Sequence, residues 1–422
     1  KFFTSYNNIM SIQITLPNIV EIEEVWNLYK PISKNLSYKN NVSINQWDVP
    51  FTIPQLSYLT HSHFRYYGKF PSVVAGKIID DHYDQKTKRP IYDNFCGSGT
   101  TLVESKIRGI EAYGSDISWL SIMASNVKTS FVDLKKVLKL VEKVTNDAKK
   151  LSINIEFDDR SSKWFNLKEY ENLYRLKTVL LGYKKSDEIK FLICAFIAII
   201  RRISKAHDAE VRPHVNKDKS QREVFSAYEK KVKDMIKNHN NFQNVVKKDS
   251  IANCFFADST KIKDLYCYKS PSLIISHPPY LNAFNYAPVF MLEYLIASEF
   301  ENYFVDEKSL YKEEIKAHPA NEKITDQYFY LLKESYKNCN RLQKKGDKLA
   351  VVIGDCTRYG EIIKVIDRLI IDVEKIGYKL LEINYRTTHY GAGKYAYSDR
   401  ADYHSEEEQK RDGIIVFTKL KE

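Results

Sequence analysis

Apolar positions fall into three regimes along the chain. Residues 1 to about 60 carry no strong period: Asn, Ser and Tyr dominate, prolines stand at Pro31, Pro50 and Pro54, and only 21–29 suggests a short helix. That stretch reads as an N-terminal arm. From residue 89 short apolar runs alternate with helical spacing. Residues 89–93 predict a strand running into Phe95-Cys96-Gly97-Ser98-Gly99-Thr100, 101–108 a helix and 111–116 a second strand. Strand, glycine loop, helix and strand in that order open a parallel α/β sheet.

Between 127 and 250 the pattern turns helical. Leu134, Val137, Leu138, Val141 and Val144 recur at steps of three and four, predicting a helix over 132–150. Residues 170–181 and 188–205 repeat the pattern, and 223–237 predicts a more polar helix. The sheet resumes with strands at 254–258, 271–276 and 346–354. Helices are expected at 286–299, 326–343 and 361–376, the last stopped by Gly377, with a polar segment over 305–325. Strands at 379–385 and 413–417 flank a Gly/Tyr-rich loop. The expected fold is α/β, a Rossmann-like sheet with helices on both faces, interrupted by a mainly helical insert. Its parts are an arm over 1–60, a sheet domain over 61–126 and 251–422, and the insert over 127–250.

Charge sharpens that division. The 422 residues carry 65 Lys+Arg against 54 Asp+Glu, a net charge of +11. Residues 127–250 hold 28 basic and 17 acidic side chains, a difference of +11, so the rest of the chain sums to zero. A neutral body with a basic helical segment suits a polyanionic partner. The alternative is a solvated helical surface. Six cysteines, with no CxxC and no Cys/His cluster, argue against a disulfide framework or a bound metal and fit a reducing cytoplasm. The apolar run 191–200 is too short to span a bilayer, and Lys1-Phe2-Phe3 leads into polar residues rather than a secretory signal, so no membrane association is expected.

Three motifs carry candidate chemistry. In Asp93-Asn94-Phe95-Cys96-Gly97-Ser98-Gly99-Thr100-Thr101 the glycines allow a sharp turn and close approach to a ligand. It is neither a Walker loop, lacking Gly-Lys-Ser/Thr, nor a dinucleotide loop, because Leu102 stands where the third glycine would be. Asp116, at the end of the second strand, suits a carboxylate accepting ribose hydroxyls, with a helix N-cap as the alternative. His277-Pro278-Pro279-Tyr280 ends an apolar strand. Its prolines stiffen the turn and remove two N–H donors, leaving carbonyls for an amino group, and Tyr280 offers a ring for stacking.

Phe95-Cys96-Gly97-Ser98-Gly99-Thr100-Thr101 together with Pro278-Pro279-Tyr280 resembles the amino-methylating DNA methyltransferases. Those enzymes move a methyl group from S-adenosyl-L-methionine to cytosine N4 or adenine N6. Lys69-Phe70-Pro71 is similar to the family segment that closes over the methionine end of the cofactor, and Asp258 to the acidic position that contacts the adenine amino group. The resemblance spans roughly 60 to 420. It implies a class I methyltransferase sheet, S-adenosyl-L-methionine as cofactor, a flipped base in double-stranded DNA as substrate, a cognate restriction endonuclease as partner and a bacterial cytoplasmic setting. Cofactor contacts are then expected from Lys69, Phe70, Pro71, Asp93, Phe95, Gly97, Gly99, Thr100, Thr101, Asp116 and Asp258, and catalysis from His277, Pro278, Pro279 and Tyr280. DNA contacts are expected from Arg201, Arg202, Lys205, Arg212, His214 and Arg386.

One departure stands out. The family places Asp, Asn or Ser before Pro-Pro, where this chain has His277. Three readings stay open: a working variant with a neutral imidazole as acceptor, an inactivating change, or Ser276 substituting through a local shift. Cytosine N4 is favoured because the flanking residues resemble Ser-Pro-Pro-Tyr members. An RNA or protein amino-methyltransferase and an inactive DNA-binding homologue remain the alternatives. No cysteine follows a proline, which argues against cytosine C5 chemistry.

Overall fold

The computed structural model describes residues 31–388 and 411–421, apart from 40, 50, 221, 262, 264, 266–268 and 301–306. The expected helix at 21–29 and most of the Gly/Tyr-rich loop lie outside the described residues. The strands are β1 (Ile32–Lys39), β2 (Val42–Val49), β3 (Ile91–Asp93), β4 (Ala112–Asp116), β5 (Ala252–Phe256), β6 (Leu273–Ser276), β7 (Lys348–Gly354), β8 (Cys356–Arg358), β9 (Glu361–Ile363), β10 (Tyr378–Thr388) and β11 (Asp412–Lys419). The helices are α1 (Ser72–His82), α2 (Thr100–Ile107), α3 (Trp119–Thr129), α4 (Leu134–Lys150), α5 (Asp159–Trp164), α6 (Leu167–Leu181), α7 (Asp187–Ile203), α8 (Val224–Val245), α9 (Tyr286–Val289), α10 (Met291–Ala297), α11 (Glu307–Glu313), α12 (Glu322–Leu342) and α13 (Val365–Glu374).

Among the described residues one sheet runs β1-β2-β10-β11-β7-β6-β3-β4-β5. Strands β5, β4, β3, β6 and β7 are parallel, and β11 is antiparallel to both β7 and β10. Side chains alternate across this sheet with a period of two. Tyr92, Ile274, Leu349, Val351 and Ile353 face α12 and α13. Ile91, Leu273, Ile275, Ala350 and Val352 face α1, α2 and α3. The sheet is therefore Rossmann-like, with helices on both faces, as expected from the sequence.

Helices α4–α8 follow one another between β4 and β5 and share a core with α3, α9 and α10. In α4, Val137, Val141, Val144 and Ala148 are buried, while Lys135, Lys136, Lys139, Lys143, Lys149 and Lys150 are exposed. Residues 31–60 depart from the expected arm. Strands β1 and β2 form a hairpin, and β2 adds to the sheet parallel to β10. Trp47 and Val49 supply its buried contacts. Sheet pairing across more than 330 residues leaves no local period to read, which is why this hairpin escapes a scan for periodicity. Two smaller differences follow. The expected polar segment over 305–325 contains α11, and 361–376 begins as strand β9 before turning helical.

Candidate active site

The order of parallel strands reverses between β3 and β6, the place where open α/β sheets bind ligands beyond their carboxyl ends. A cleft of about 900 Å³ lies there. Loops after β3, β4, β5 and β6 wall it with 93–98 and Thr100, 116–118, 257–259, and His277 with Pro279. Motifs distant in sequence thus meet in one cavity. Of the expected cofactor residues, Lys69, Phe70, Asp93, Phe95, Gly97, Thr100, Asp116 and Asp258 line it. Pro71, Gly99 and Thr101 are not among the lining residues.

The glycine loop is built from beneath. The buried Asp93 carboxylate accepts from the Phe95 N–H at 3.0 Å and from the Thr101 hydroxyl at 2.5 Å. Thr101 thus braces the loop from below. Burial pushes Asp93 up to about 7, against those two hydrogen bonds. Thr100 donates to the Phe70 carbonyl at 3.2 Å and so joins the loop to the segment before α1. Gly99, at φ +80°, packs against Ser125, whose Cβ would lie 2.8 Å from an added methyl. Gly97, at φ +51°, faces Tyr66 across the cleft. Its N–H donates to Oδ2 of Asp116 at 2.8 Å, while the Ser118 N–H donates to Oδ1 at 2.8 Å. Burial raises Asp116 to about 6, opposed by these donors. The helix N-cap itself is Ser118, so Asp116 bridges two loops instead of capping α3.

The Pro-Pro-Tyr segment is held from three sides. Ser276 is fully buried, with its hydroxyl 3.3 Å from that of Tyr336 on α12. Strand alternation turns His277 the other way, into the cleft, where its ring stacks on Phe70 (centroids 5.0 Å, 16°). Ser276 therefore does not reach the cleft. Burial and the neighbouring Arg386 charge hold the imidazole neutral, down to about 3, with Asp412 opposing. The Pro279 carbonyl accepts from the Tyr328 hydroxyl at 2.8 Å. Tyr280 lies edge-on to His277 (5.3 Å, 62°) and its hydroxyl points to Asp412 at 3.4 Å.

Several further cleft residues were not among the expected site residues, although Tyr66 and Tyr286 lie in the stretches 63–71 and 281–286 beside the motifs. Tyr66 and Tyr286 stack at 5.6 Å on one wall. Leu310, Glu313, Glu314 and Ile315 also line the cleft, as a strap of chain that runs out of α11. Asn285 fixes that strap by donating to the His318 carbonyl at 2.8 Å and accepting from the Ala317 and His318 N–H groups. Glu314 accepts from the N–H groups of Tyr286 and Ala287 at 2.7 and 3.2 Å. Lys69 donates to the His61 carbonyl at 3.0 Å, and burial lowers it to about 7. His61 meets Glu104 at 2.8 Å, and Glu104 also accepts from Tyr58 and Arg108. Only the Asn282-Ala283-Phe284-Asn285 stretch after Tyr280 could have hinted at the strap.

The expected DNA contacts divide. Arg202, Arg212 and His214 are exposed. Lys205 donates to the Ser162 carbonyl at 3.0 Å. Arg201 is turned inward: it is buried, donates to the carbonyls of Val211, Val289 and Glu210, and lies 4.8 Å over the Tyr67 ring. Arg386 is buried in a pair with Asp412 at 2.9 Å, beside His277. Neither guanidinium faces solvent, so neither is placed for phosphate; a sequence scan sees charge but not direction.

No family model matches the chain. It is similar to the Type II methyltransferase M.MvaI of Kocuria varians, 27% identical over 165 residues, 36% of this chain and 36% of that protein. It is also similar to the Type II methyltransferase M.MjaII of Methanocaldococcus jannaschii, 28% identical over 199 residues, 44% of this chain and 37% of that protein. The chain thus spans little more than a third of the length of these curated relatives. Among solved structures, TrmN from Thermus thermophilus aligns with a TM-score of 0.30 and 9% identity, covering 83% of this chain and 49% of that one. A SAM-dependent methyltransferase from Methanosarcina mazei aligns at 0.31 and 9%, covering 82% and 98%. The sheet order above stands independently of those superpositions, and the sequence kinship is with Type II methyltransferases over less than half of the chain.

Proposed function

We propose that this chain is an S-adenosylmethionine-dependent DNA methyltransferase acting on an exocyclic amine, with cytosine N4 favoured over adenine N6. One observation carries the reading: the glycine loop and the His-Pro-Pro-Tyr loop wall the same cleft at the strand-order reversal. The lining chemistry fits the cofactor. Asp93, Asp116, Asp258, Glu313 and Glu314 face the cleft with Lys69 as the lysine among them. Lys261 pairs with Asp258 and Glu313, Lys316 pairs with Glu314, and Asp93 is only partly ionised near pH 7, so the remaining acidic excess is modest and favours a ligand with a cationic centre over a polyphosphate. Gly97 lines the cleft at φ +51° against Tyr66, whose ring would lie 3.2 Å from an added Cβ, so a side chain there would crowd the cleft wall. Gly97, Asp116 and Asp258 would hold the nucleoside end, and Lys69 with Phe70 the amino-acid end. When bound, the cofactor supplies an electrophilic methyl group on a sulfonium.

The chain's own residues then position the amine. His277, neutral and stacked on Phe70, accepts a hydrogen bond from one amino N–H. The Pro278 carbonyl is assigned the acceptor role toward the second N–H, with the neighbouring Pro279 carbonyl held by Tyr328. Tyr280 stacks on the flipped base. The amine proton displaced by the incoming methyl group would leave to water, since His277 binds protons too weakly to keep it. Orientation of the lone pair supplies most of the rate. The exposed lysine face of α4, with Arg202, Arg212 and His214, carries the phosphate contacts. A cognate endonuclease as partner and a bacterial cytoplasmic setting go with this reading.

His277 motivates a second reading, a DNA-binding homologue that holds the cofactor without turnover. Transfer of labelled methyl to unmethylated DNA of mixed sequence, followed by nucleoside analysis, separates them. Label in N4-methylcytosine or N6-methyladenine is the expected result and names the base. Cofactor binding with no label, not restored by His277→Ser, removes the methyl-transfer reading.

A further inference from the structure

Directly after β7, the chain makes a two-residue hairpin, β8–β9, with Arg358 paired to Glu361. Its apex residues Tyr359 and Gly360 have φ of +52° and +87°. Positive φ at both positions is the tight primed turn that glycine and asparagine favour. A tyrosine at the first position is strained, and its side chain is 92% exposed. Neither packing nor turn chemistry accounts for an aromatic there. Strain of this kind points to what the side chain does once a partner arrives.

The root of the hairpin is held by several contacts, one of them to the residues just after the Pro-Pro-Tyr motif. Asn282, two residues beyond Tyr280, donates to the Thr357 carbonyl at 2.7 Å. Tyr280 itself lies against Gly354, where an added Cβ would be 3.1 Å from its ring. Asp355 accepts from the Ile366 N–H at 3.0 Å and the Arg411 Nε at 2.6 Å. Two residues of extended chain then carry Tyr359 roughly 7 Å beyond the Thr357 anchor. The hairpin root is thus tied to the Pro-Pro-Tyr loop and the residues that follow it, and the apex is its exposed end.

We infer that Tyr359 is a stacking wedge, entering the base stack of duplex DNA when the target base is displaced into the cleft. This rests on the proposed DNA-methylating function. A base leaving a duplex unstacks its neighbours, and an aromatic side chain inserted at the step replaces part of the lost stacking. The fixed root delivers the ring in one orientation. The ring is needed only when the substrate is double-stranded.

The test compares wild type with Tyr359→Asn, which suits positive φ better and removes the ring, and with Tyr359→Phe, which keeps it. Methyl transfer is measured on unmethylated genomic DNA, native and heat-denatured. Tyr359→Asn is expected to lose about five- to a hundredfold on native DNA, the range for one aromatic stack. It should stay within about twofold of wild type on denatured DNA, and Tyr359→Phe should match wild type on both. An equal loss on both DNA forms, or no loss on native DNA, overturns the wedge. A wild-type protein that methylates neither form overturns the underlying reading and the wedge with it.

Discussion

Asp116→Asn separates a ligand-binding carboxylate from a structural one. Two opposing terms act on the fold. Burial raises Asp116 from 3.8 to about 6, so the folded chain holds its proton more tightly than the unfolded chain. That contribution weakens stability as pH rises from about 4 to 6 and is complete above it. At 1.36 kcal/mol per tenfold, keeping the carboxylate ionised at pH 7 costs the fold about 3 kcal/mol. Asparagine removes that cost. It offers a single acceptor oxygen, however, where Gly97 and Ser118 donate to separate ones. The value of about 6 already includes both bonds to the ionised form, so the further penalty is the N–H left facing the amide nitrogen without an acceptor, about 1–3 kcal/mol. The terms nearly cancel, so the melting temperature should move by no more than about 4 °C. A ligand hydroxyl bound to the carboxylate has no such offset, and S-adenosylmethionine affinity should fall about 10- to 150-fold. Titration calorimetry with a parallel thermal melt reads both quantities. A melt lowered by more than about 10 °C with unchanged affinity would show that Asp116 only stitches two loops together, and the reasoning would fail.

Other consequences follow from the same geometry. Gly99→Ala should destabilise the chain by about 2–5 kcal/mol, from a left-handed backbone and a methyl 2.8 Å from Ser125 Cβ. Gly109→Ala, at φ +67° with open space around it, should cost only about 1–2 kcal/mol, and denaturant midpoints that fail to separate the two refute the packing argument. His277 loses its acceptor only near pH 3, so methyl transfer should show no inflection from it between pH 5 and 8; an inflection near 6.5 that vanishes in His277→Asn contradicts its burial. Glu104→Ala leaves His61 and Tyr58 without their shared acceptor and Arg108 with Asp80 alone, and should cost about 3–5 kcal/mol in urea unfolding, whereas a loss below about 1 kcal/mol would show that water replaces the carboxylate.

Local pattern carried much of the architecture. The alternation in 349–353 and the glycine loop after Asp93 are written in adjacent residues, because strand pleat and helix pitch repeat within a few positions. The step of three and four through Val137, Val141 and Val144 likewise revealed both the buried face of α4 and its lysine-bearing opposite. The Pro-Pro-Tyr motif marked one wall of the cleft by its place at the end of an apolar strand, and resemblance added a role for it.

What the tertiary structure decided was direction and partnership. Thr101 and Thr100 share a motif and a residue type, yet one braces Asp93 and the other ties the loop to Phe70. Arg201 and Arg202 are adjacent; the helix turns one onto carbonyls and the other to solvent. Ser276 and His277 are separated by a single strand step, which sends the hydroxyl to Tyr336 and the imidazole to the cleft. The β1–β2 hairpin and the strap along the cleft depend on contacts between distant segments. Composition and periodicity fix which face of an element is apolar. Only the closing of long loops decides which faces meet, so a site assembled from four strand ends is settled by packing rather than by local sequence.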